Sequence, residues 1–451
     1  MAPTTAAGHG GVDHRPDDGD GDPAGVVPPP TQLLGTRLEL VAGAIAAGGG
    51  CVARAGDGRV VFVRHALPGE LVVAEVTAET TSFLRADAVE IVEPAPDRVV
   101  APCPHAGPGR CGGCDWQHVA LPAQRSLKAE LVGEQLRRLA GVDRPVGVEE
   151  VEGAPDGLGW RTRVRFAVDG SGRIGLHRHR SHIVEPVAHC PIASAAVDRV
   201  DVGGSLWKGA HHVEVTASPD GGTAVVSVET GRRRLVGRPG VAAGLVVNGR
   251  TVRRPTRVRF DVLGHRFEVG PGVFWQVHPG GAACLTRTVL DGLAPRPGER
   301  VADLYAGAGL FTVPLARAVG RRGSVVSVER SSRACADAVR NASGLHHVEI
   351  VRSAVDARAI ADLGRPDLVV LDPARQGAGR GVMAALAALE PPPRRVAYVS
   401  CDPASFARDI RVLLDAGWTV PSLRAFDLFP MTEHVELVGI LVSPAGSDAP
   451  A

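Results

Sequence analysis

Cys401 stands in the run Tyr398-Val399-Ser400-Cys401-Asp402-Pro403, just past an apolar stretch that reads as a buried strand. A side chain on such a turn is presented rigidly to the crevice at the strand end. As a thiolate it is a nucleophile that adds to an electron-poor carbon. Addition to one carbon of a conjugated ring makes the neighbouring carbon carbanion-like, ready to take an electrophilic one-carbon group. A base must then remove a proton from that carbon so that the thiolate can leave. In Phe429-Pro430-Met431-Thr432-Glu433-His434-Val435-Glu436, Glu436 is the candidate base and Glu433 the competing carboxylate. Cys284 and Cys335 lie in expected helices among small apolar neighbours and read as core residues.

The electrophile needs a site of its own. Asp303-Leu304-Tyr305-Ala306-Gly307-Ala308-Gly309 puts a Gly-x-Gly between an expected strand and helix, where a missing Cβ lets a ligand approach the backbone. Glu329 ends the next strand, where a carboxylate accepts hydrogen bonds from a ribose diol. The combination fits an adenosine, and the shortened glycine motif, lacking a third glycine for a pyrophosphate, favours S-adenosylmethionine over a nicotinamide cofactor. A uracil ring is one acceptor that such a site would suit, since its C5 becomes nucleophilic once a thiolate has added at C6. A stacked uracil does not expose C6, so the base must be flipped out.

A second group of cysteines has metal-ligand character. Cys103, Cys111 and Cys114 form a C-x7-C-x2-C layout, with Cys190-Pro191 as a distant fourth ligand. Four thiolates suit a tetrahedral zinc or an iron–sulfur cluster. Spacing alone does not choose, although three clustered cysteines with one remote Cys-Pro lean toward a cubane. Cys51 matches no ligand position.

These residues require several folded elements to position them. A chain of 451 residues is long enough for about two to three units, each with its own core. Eight cysteines in a long chain with no signal-peptide pattern point to metal binding or catalysis in the cytoplasm, without a disulfide framework. No charge-free stretch of transmembrane length is present, so no membrane partner is expected. Formal charge is only +1, so any RNA partner must be held by local basic patches.

Residues 1–33 and 446–451 are Gly-, Pro- and Asp-rich or short and polar, and are expected to be disordered tails. Residues 34–95 show short alternating runs split by glycine turns, the pattern of an OB-like β-barrel, with Arg54, Arg59, Arg64 and Arg85 available for a basic face. Residues 96–260 read as a central α+β region: the cysteine loop, an amphipathic helix over about 120–139, then strands. In Arg161-Thr162-Arg163-Val164-Arg165 the period of two puts three arginines on one face, either a phosphate-tracking strip or an ordinary wet face. From 261 to 445, apolar strands alternate with helices, which implies a doubly wound, mostly parallel α/β sheet of Rossmann type. Its strand ends carry Asp303, Tyr305, Glu329, Asp372 and Cys401 into one crevice.

The ordered motifs Asp372-Pro373-Ala374-Arg375-Gln376-Gly377, Tyr398-Val399-Ser400-Cys401-Asp402-Pro403 and Phe429-Pro430-x-Thr432-x-His434-x-Glu436 resemble those of the RNA 5-methyluridine (uracil-C5) methyltransferase family. Phe274-Trp275-Gln276-Val277 is similar to that family's Phe-x-Gln-Val segment, and the resemblance spans roughly 34–443. It implies that Cys401 is the nucleophile and Glu436 the proton acceptor. It further implies that Gln276, Tyr305, Glu329 and Asp372 contact S-adenosylmethionine, and that Phe274 holds the flipped base. Members with a TRAM-type barrel and this cysteine set carry a [4Fe-4S] cluster, which assigns Cys103, Cys111, Cys114 and Cys190 as its ligands. Such members include ribosomal-RNA enzymes, so rRNA is favoured over tRNA, and a monomer is expected. The rival readings are a non-catalytic RNA-binding iron–sulfur protein with a decayed methyltransferase domain and a small-molecule C-methyltransferase.

Four positions depart from the family pattern: Asp402 for the usual Asn, Ser405 for Thr, His278 for Asn and Leu310 for a cofactor-contacting Asn. Asp402 is expected to raise the neighbouring thiol's pKa by like-charge repulsion.

Overall fold

The computed structural model describes residues 33–231, 240 and 243–444. The tails expected over 1–33 and 446–451 lie outside the described residues, apart from Leu33. The first unit is a curled sheet of β1 (Arg37–Val41), β2 (Cys51–Arg54), β3 (Val60–Arg64), β4 (Leu71–Glu79) and β5 (Phe83–Glu93), in the order β1-β4-β5-β3-β2. Register shifts at three places along the β4–β5 pair add local twist and bend these long strands. Their alternate residues Val72, Ala74, Val76, Leu84 and Ala86 are buried, together with Trp116 from the following segment.

The expected basic face on this unit is largely spent. Arg59 pairs with Asp57 and Glu79, Arg64 lies near Asp87 and Asp115, and Arg85 stacks on Phe62 and Phe83. Alternation assigned these arginines to one class of position but carried no information about acidic neighbours from other strands.

The segment after the cysteine loop departs from its expected place in the central region. The helix α1 (Leu121–Gln135), prolonged by one π-turn to Ala140, buries Val132, Leu136 and Ala140 in the core of the last sheet. β6 (Val148–Glu150) even extends that sheet, parallel to its edge. The central sheet proper is built from β7 (Arg163–Val168), β8 (Ile174–His177), β9 (Val184–Pro186), β10 (Ala210–Ala217), β11 (Ala224–Thr230), β12 (Gly244–Val247) and β13 (Arg250–Arg253). Its order is β13-β12-β11-β10-β7-β8-β9, with the short α2 (Ala195–Asp198) against it. A hairpin, β14 (Val258–Val262) and β15 (His265–Val269), packs with the final unit.

That unit runs α3 (Gly281–Leu293), β16 (Arg300–Leu304), α4 (Thr312–Val319), β17 (Ser324–Glu329), α5 (Ser332–Asn341), β18 (Val348–Arg352), α6 (Ala357–Ala361), β19 (Leu368–Leu371), α7 (Arg380–Ala387), β20 (Arg395–Ser400), α8 (Pro403–Asp415), β21 (Thr419–Asp427) and β22 (Glu436–Val442). The sheet order is β18-β17-β16-β19-β20-β22-β21-β6. The central strands pair in parallel, β22 is antiparallel to both neighbours, and separate apolar cores line the two faces. Burial on both faces explains why β19 is an unbroken Leu-Val-Val-Leu run. The order reverses between β16 and β19, which opens a crevice beyond their carboxyl ends. Among the described residues no helix is long and apolar enough to cross a membrane.

Candidate active site

Strand register brings the chemistry together. Ser400 on β20 pairs with Leu437 on β22, so the next pair in that antiparallel register sets Cys401 beside Glu436. Leu371 on β19 pairs with both Leu304 and Tyr398, which places Asp372 between Tyr305 and the Cys401 turn. Cys401 is half-buried and Glu436 is only 3% exposed.

Cys401 occupies its turn because the chain must change from strand to helix there. Asp402 is the N-cap of α8, its carboxylate accepting the Ser405 N–H at 2.7 Å, and Pro403 takes the first helical position where no N–H is needed. The departure Ser405 is buried in this cap. Burial pushes the Cys401 thiol up to about 12, followed by the charges of Glu436 and Asp372; Asp402 contributes less than either. The repulsion expected from Asp402 is therefore present but secondary. The Arg375 guanidinium pulls the other way, and it sits 3.0 Å from His434 Nε2. Burial, then the charge of Asp372, raises Glu436 well above the usual carboxylate range.

Glu433 faces elsewhere. It packs against the Gly48–Gly49 turn of the first unit, and burial together with Asp115 raises it to about 7. Arg375 and Asp402 act on it more weakly than burial and Asp115 do. Geometry thus separates the two carboxylates that the bare sequence left competing.

At the adenosine edge, Glu329 Oε2 accepts the Gly307 N–H at 3.0 Å and Oε1 the Ser331 N–H at 2.6 Å. Gly307 and Gly309 both have positive φ, and the space where a Cβ of Gly307 would lie is open. Tyr305 also has positive φ, a conformation a tyrosine rarely adopts and one that turns its half-buried ring at the strand end. Asp303 is fully buried; Thr312 donates to its Oδ2 while Oδ1 has no partner. An unpaired buried acceptor at a strand end is costly and fits a site completed by a ligand donor. Burial raises Asp303 to about 7, and burial plus the Asp303 charge does the same to Asp372.

Gln276 comes from a different segment, ahead of α3. It is buried and lines a small cavity with Thr162, Trp275 and His278. Phe274, two residues earlier, is 65% exposed, as a ring that meets a ligand from solvent would be. The departures His278 and Leu310 have structural places: His278 lies against Trp160 and accepts the Gly280 N–H, and Leu310 joins the core.

The arginine strip is not a phosphate track. Arg163 donates from Nη1 to the Val273 carbonyl at 2.7 Å and from Nε to Thr216 Oγ1 at 3.1 Å. Thr162 holds the Val277 carbonyl through both its N–H and its hydroxyl. Strand β7 and the residue before it thus anchor both ends of the Phe274–Gln276 segment. Arg165 is exposed but paired with Glu229, and Arg161 lines the cysteine cavity. A period of two places residues on one face without saying what packs there.

Cys103, Cys111, Cys114 and Cys190 line one cavity with Leu176, Val187 and Ile192. Burial raises the Cys114 thiol to about 12, and Cys190, Cys111 and Cys103 push it further up, so the four sulfurs are within electrostatic reach of one another. Among the described residues no three His, Cys, Asp or Glu side chains converge as a site for a single metal ion. Cys51 is buried in the first unit, its thiol directed at the Ala66 carbonyl. Cys335 is buried as expected and Cys284 is partly buried.

Three residues of this region, Trp116, Gln124 and Lys128, had drawn no reading from the sequence, and Arg375 stood in a quoted motif without a role. Gln124 and Lys128 are spaced i, i+4 on the buried face of α1, where polar residues are unusual.

Residues 42–89 match the TRAM domain, and residues 289–444 match the tRNA (Uracil-5-)-methyltransferase family. An RNA methyltransferase of Streptomyces coelicolor is 47% identical, the match covering 91% of this chain and 94% of that protein. The 23S rRNA (uracil(1939)-C(5))-methyltransferase of Alkalilimnicola ehrlichii is 34% identical over 85% of this chain and 92% of its own. The crystal structure of Pyrococcus abyssi tRNA (uracil-54, C5)-methyltransferase with S-adenosyl-L-homocysteine superposes with a TM-score of 0.68 at 22% identity, covering 90% of this chain and all of that one, a likeness of fold. A thiol beside a buried carboxylate where β20 and β22 meet in a doubly wound sheet, together with full-length relatives of this kind, leads to one conclusion: the chain belongs to the RNA (uracil-C5)-methyltransferase family.

Proposed function

We propose that the protein methylates C5 of a uridine in ribosomal RNA, with Cys401 as nucleophile and Glu436 as proton acceptor. The observation that carries this reading is the β20–β22 register, which sets the thiol and the carboxylate side by side at the edge where Asp372 borders the adenosine site. Bound S-adenosylmethionine would supply an electrophilic methyl group, held by Tyr305, Glu329 and Asp372, with Gln276 reaching from the Phe274 segment. Cys401 adds to C6 of the flipped uracil, and the C5=C6 electrons move onto the C4 carbonyl as an enolate. After C5 has taken the methyl group, Glu436 accepts the C5 proton, the C5–H electrons restore C5=C6, and the C6–S bond breaks to return the thiolate. Phe274, exposed at the mouth, holds the extruded base.

Full-length similarity to 23S rRNA enzymes favours rRNA over tRNA, for which the likeness is one of fold. Nucleoside mass spectrometry of rRNA and tRNA from a deletion strain tests the choice: 5-methyluridine should be lost from rRNA, and loss confined to tRNA would overturn it. On this reading the protein functions in the cytoplasm as a monomer.

Because the Arg163 guanidinium holds the Val273 carbonyl beside Phe274, Arg163→Met leaves that buried acceptor unpaired, at a cost of about 1–3 kcal/mol. Steady-state kinetics should show the KM for RNA rising about tenfold or more, with kcat changed far less.

The four clustered cysteines fit a [4Fe-4S] cluster better than zinc. Zinc needs four ligands at about 2.3 Å from one point, whereas a cubane spreads its thiolates around a larger body. The four thiols line one cavity without converging on a single point. The cluster would brace the cysteine loop; no step of the reaction needs its redox chemistry. Cys111→Ala should lose the visible absorbance of the purified protein and melt several degrees lower. A stable Cys111→Ala protein with normal methylation would remove the structural role.

A further inference from the structure

The loop joining β21 to β22 carries His434 and leads into Glu436, yet it is held from outside its own sheet. Lys128 on α1 is completely buried, and its Nζ donates to Asp427 Oδ1 at 2.6 Å and to the Phe429 carbonyl at 3.0 Å. One helical turn earlier, Gln124 accepts the Met431 N–H at 2.8 Å while its amide nitrogen donates to the Trp116 and Val119 carbonyls. Trp116 completes the clamp: its backbone N–H reaches the Met431 carbonyl at 3.0 Å and its indole N–H the Gly49 carbonyl of the first unit at 2.9 Å. Met431 is thereby fixed in a positive-φ conformation that a methionine seldom adopts.

A buried lysine–aspartate pair is weak evidence for stability, because apolar residues of the same size hold a core about as well. What such a pair does supply is a defined geometry. The β22 end of the loop is one residue from Glu436, whose partner across the β21–β22 pair, Phe426, is next to Asp427. We propose that Lys128 and Gln124 are positioning residues that hold the β21–β22 loop so that Glu436 meets the C5 proton. They act on the step after methyl transfer and leave the addition of Cys401 largely untouched. The inference rests on Glu436 being the proton acceptor.

Two variants test it. Lys128→Met/Asp427→Leu removes both charges together, and Gln124→Leu releases the second anchor while keeping the ion pair. Each is assayed on uridine RNA and on 5-fluorouridine RNA, where no C5 proton exists and the adduct is trapped whatever the base does. The expected result is wild-type-like adduct formation on 5-fluorouridine RNA, at least a tenfold slower turnover on uridine RNA, and accumulation there of a denaturant-stable protein–RNA complex. Equal slowing on both RNAs, normal turnover in both variants, or failure of both to fold would make these contacts ordinary packing and overturn the proposal. If the wild-type protein itself formed no adduct on 5-fluorouridine RNA, the covalent mechanism would fall instead.

Discussion

Cys401→Ala should bind RNA and S-adenosylmethionine but transfer no methyl group, with a rate loss on the order of 10⁴-fold or more, the scale at which removing a covalent nucleophile removes the path itself. Transfer of labelled methyl groups to RNA measures this directly. A denaturing gel after incubation with 5-fluorouridine RNA should show the adduct for wild type and none for the variant. An adduct that survived Cys401→Ala would place the nucleophile elsewhere. It would also revive the two rival readings only if methyl transfer were absent from wild type, since a decayed enzyme or a small-molecule methyltransferase would leave RNA unmodified.

The electrostatics add a pH signature. Burial and the Glu436 and Asp372 charges push the Cys401 thiol up to about 12, so the free protein holds it mostly protonated at neutral pH. Below that value the thiolate fraction grows about tenfold for each unit of pH. Single-turnover adduct formation should therefore rise with pH through the neutral range. Removing the Arg375 cation, as in Arg375→Met, should slow it at every pH by raising the thiol further. Asp402→Asn should change the profile little, because Asp402 lies behind two other carboxylates in its effect and is engaged as the α8 cap.

How far the sequence carried can be judged from particular residues. Parallel strands buried on both faces announce themselves as apolar runs, so β16, β17, β19 and β20 were readable, and with them the strand ends that hold Asp303, Glu329, Asp372 and Cys401. β6 and α1 were assigned to the wrong neighbourhood because local periodicity says that a face is buried without saying against what. The same gap misplaced Arg163, which alternation put on an exposed face, a phosphate strip or an ordinary wet one, but which anchors the Val273 carbonyl. Glu433 and Glu436 were alike as bare residues. Only the antiparallel register of β20 with β22, a long-range property, sets one beside the thiol and leaves the other against the first unit. Clustering of four cysteines was legible from spacing, since Cys-x2-Cys has local geometry. That Cys190 closes the cavity depended on how the central sheet returns to the cysteine loop.

Glu436→Gln separates the halves of the reaction. The amide keeps the size and burial of the side chain but cannot accept the C5 proton, so turnover on uridine RNA should fall by about 10²–10⁴-fold, the usual range for loss of a positioned base. Cys401 addition should survive: burial, the main cause of the raised thiol, is unchanged, and the amide removes the largest of the charges that add to it. Its thiolate becomes easier to form, and adduct formation on 5-fluorouridine RNA should match or exceed the wild-type rate at neutral pH. On ordinary uridine RNA the methylated adduct then has no route to release, and a denaturant-stable complex should accumulate to about one RNA per protein before turnover stops. Glu433→Gln should show neither effect, since Glu433 packs against the Gly48–Gly49 turn while strand register sets Glu436 beside the thiol. If Glu433→Gln accumulated the adduct and Glu436→Gln turned over freely, the assignment drawn from strand register would be reversed. The loop between them would then present its carboxylate to substrate only after rearranging, which its anchoring by Lys128, Gln124 and Trp116 opposes.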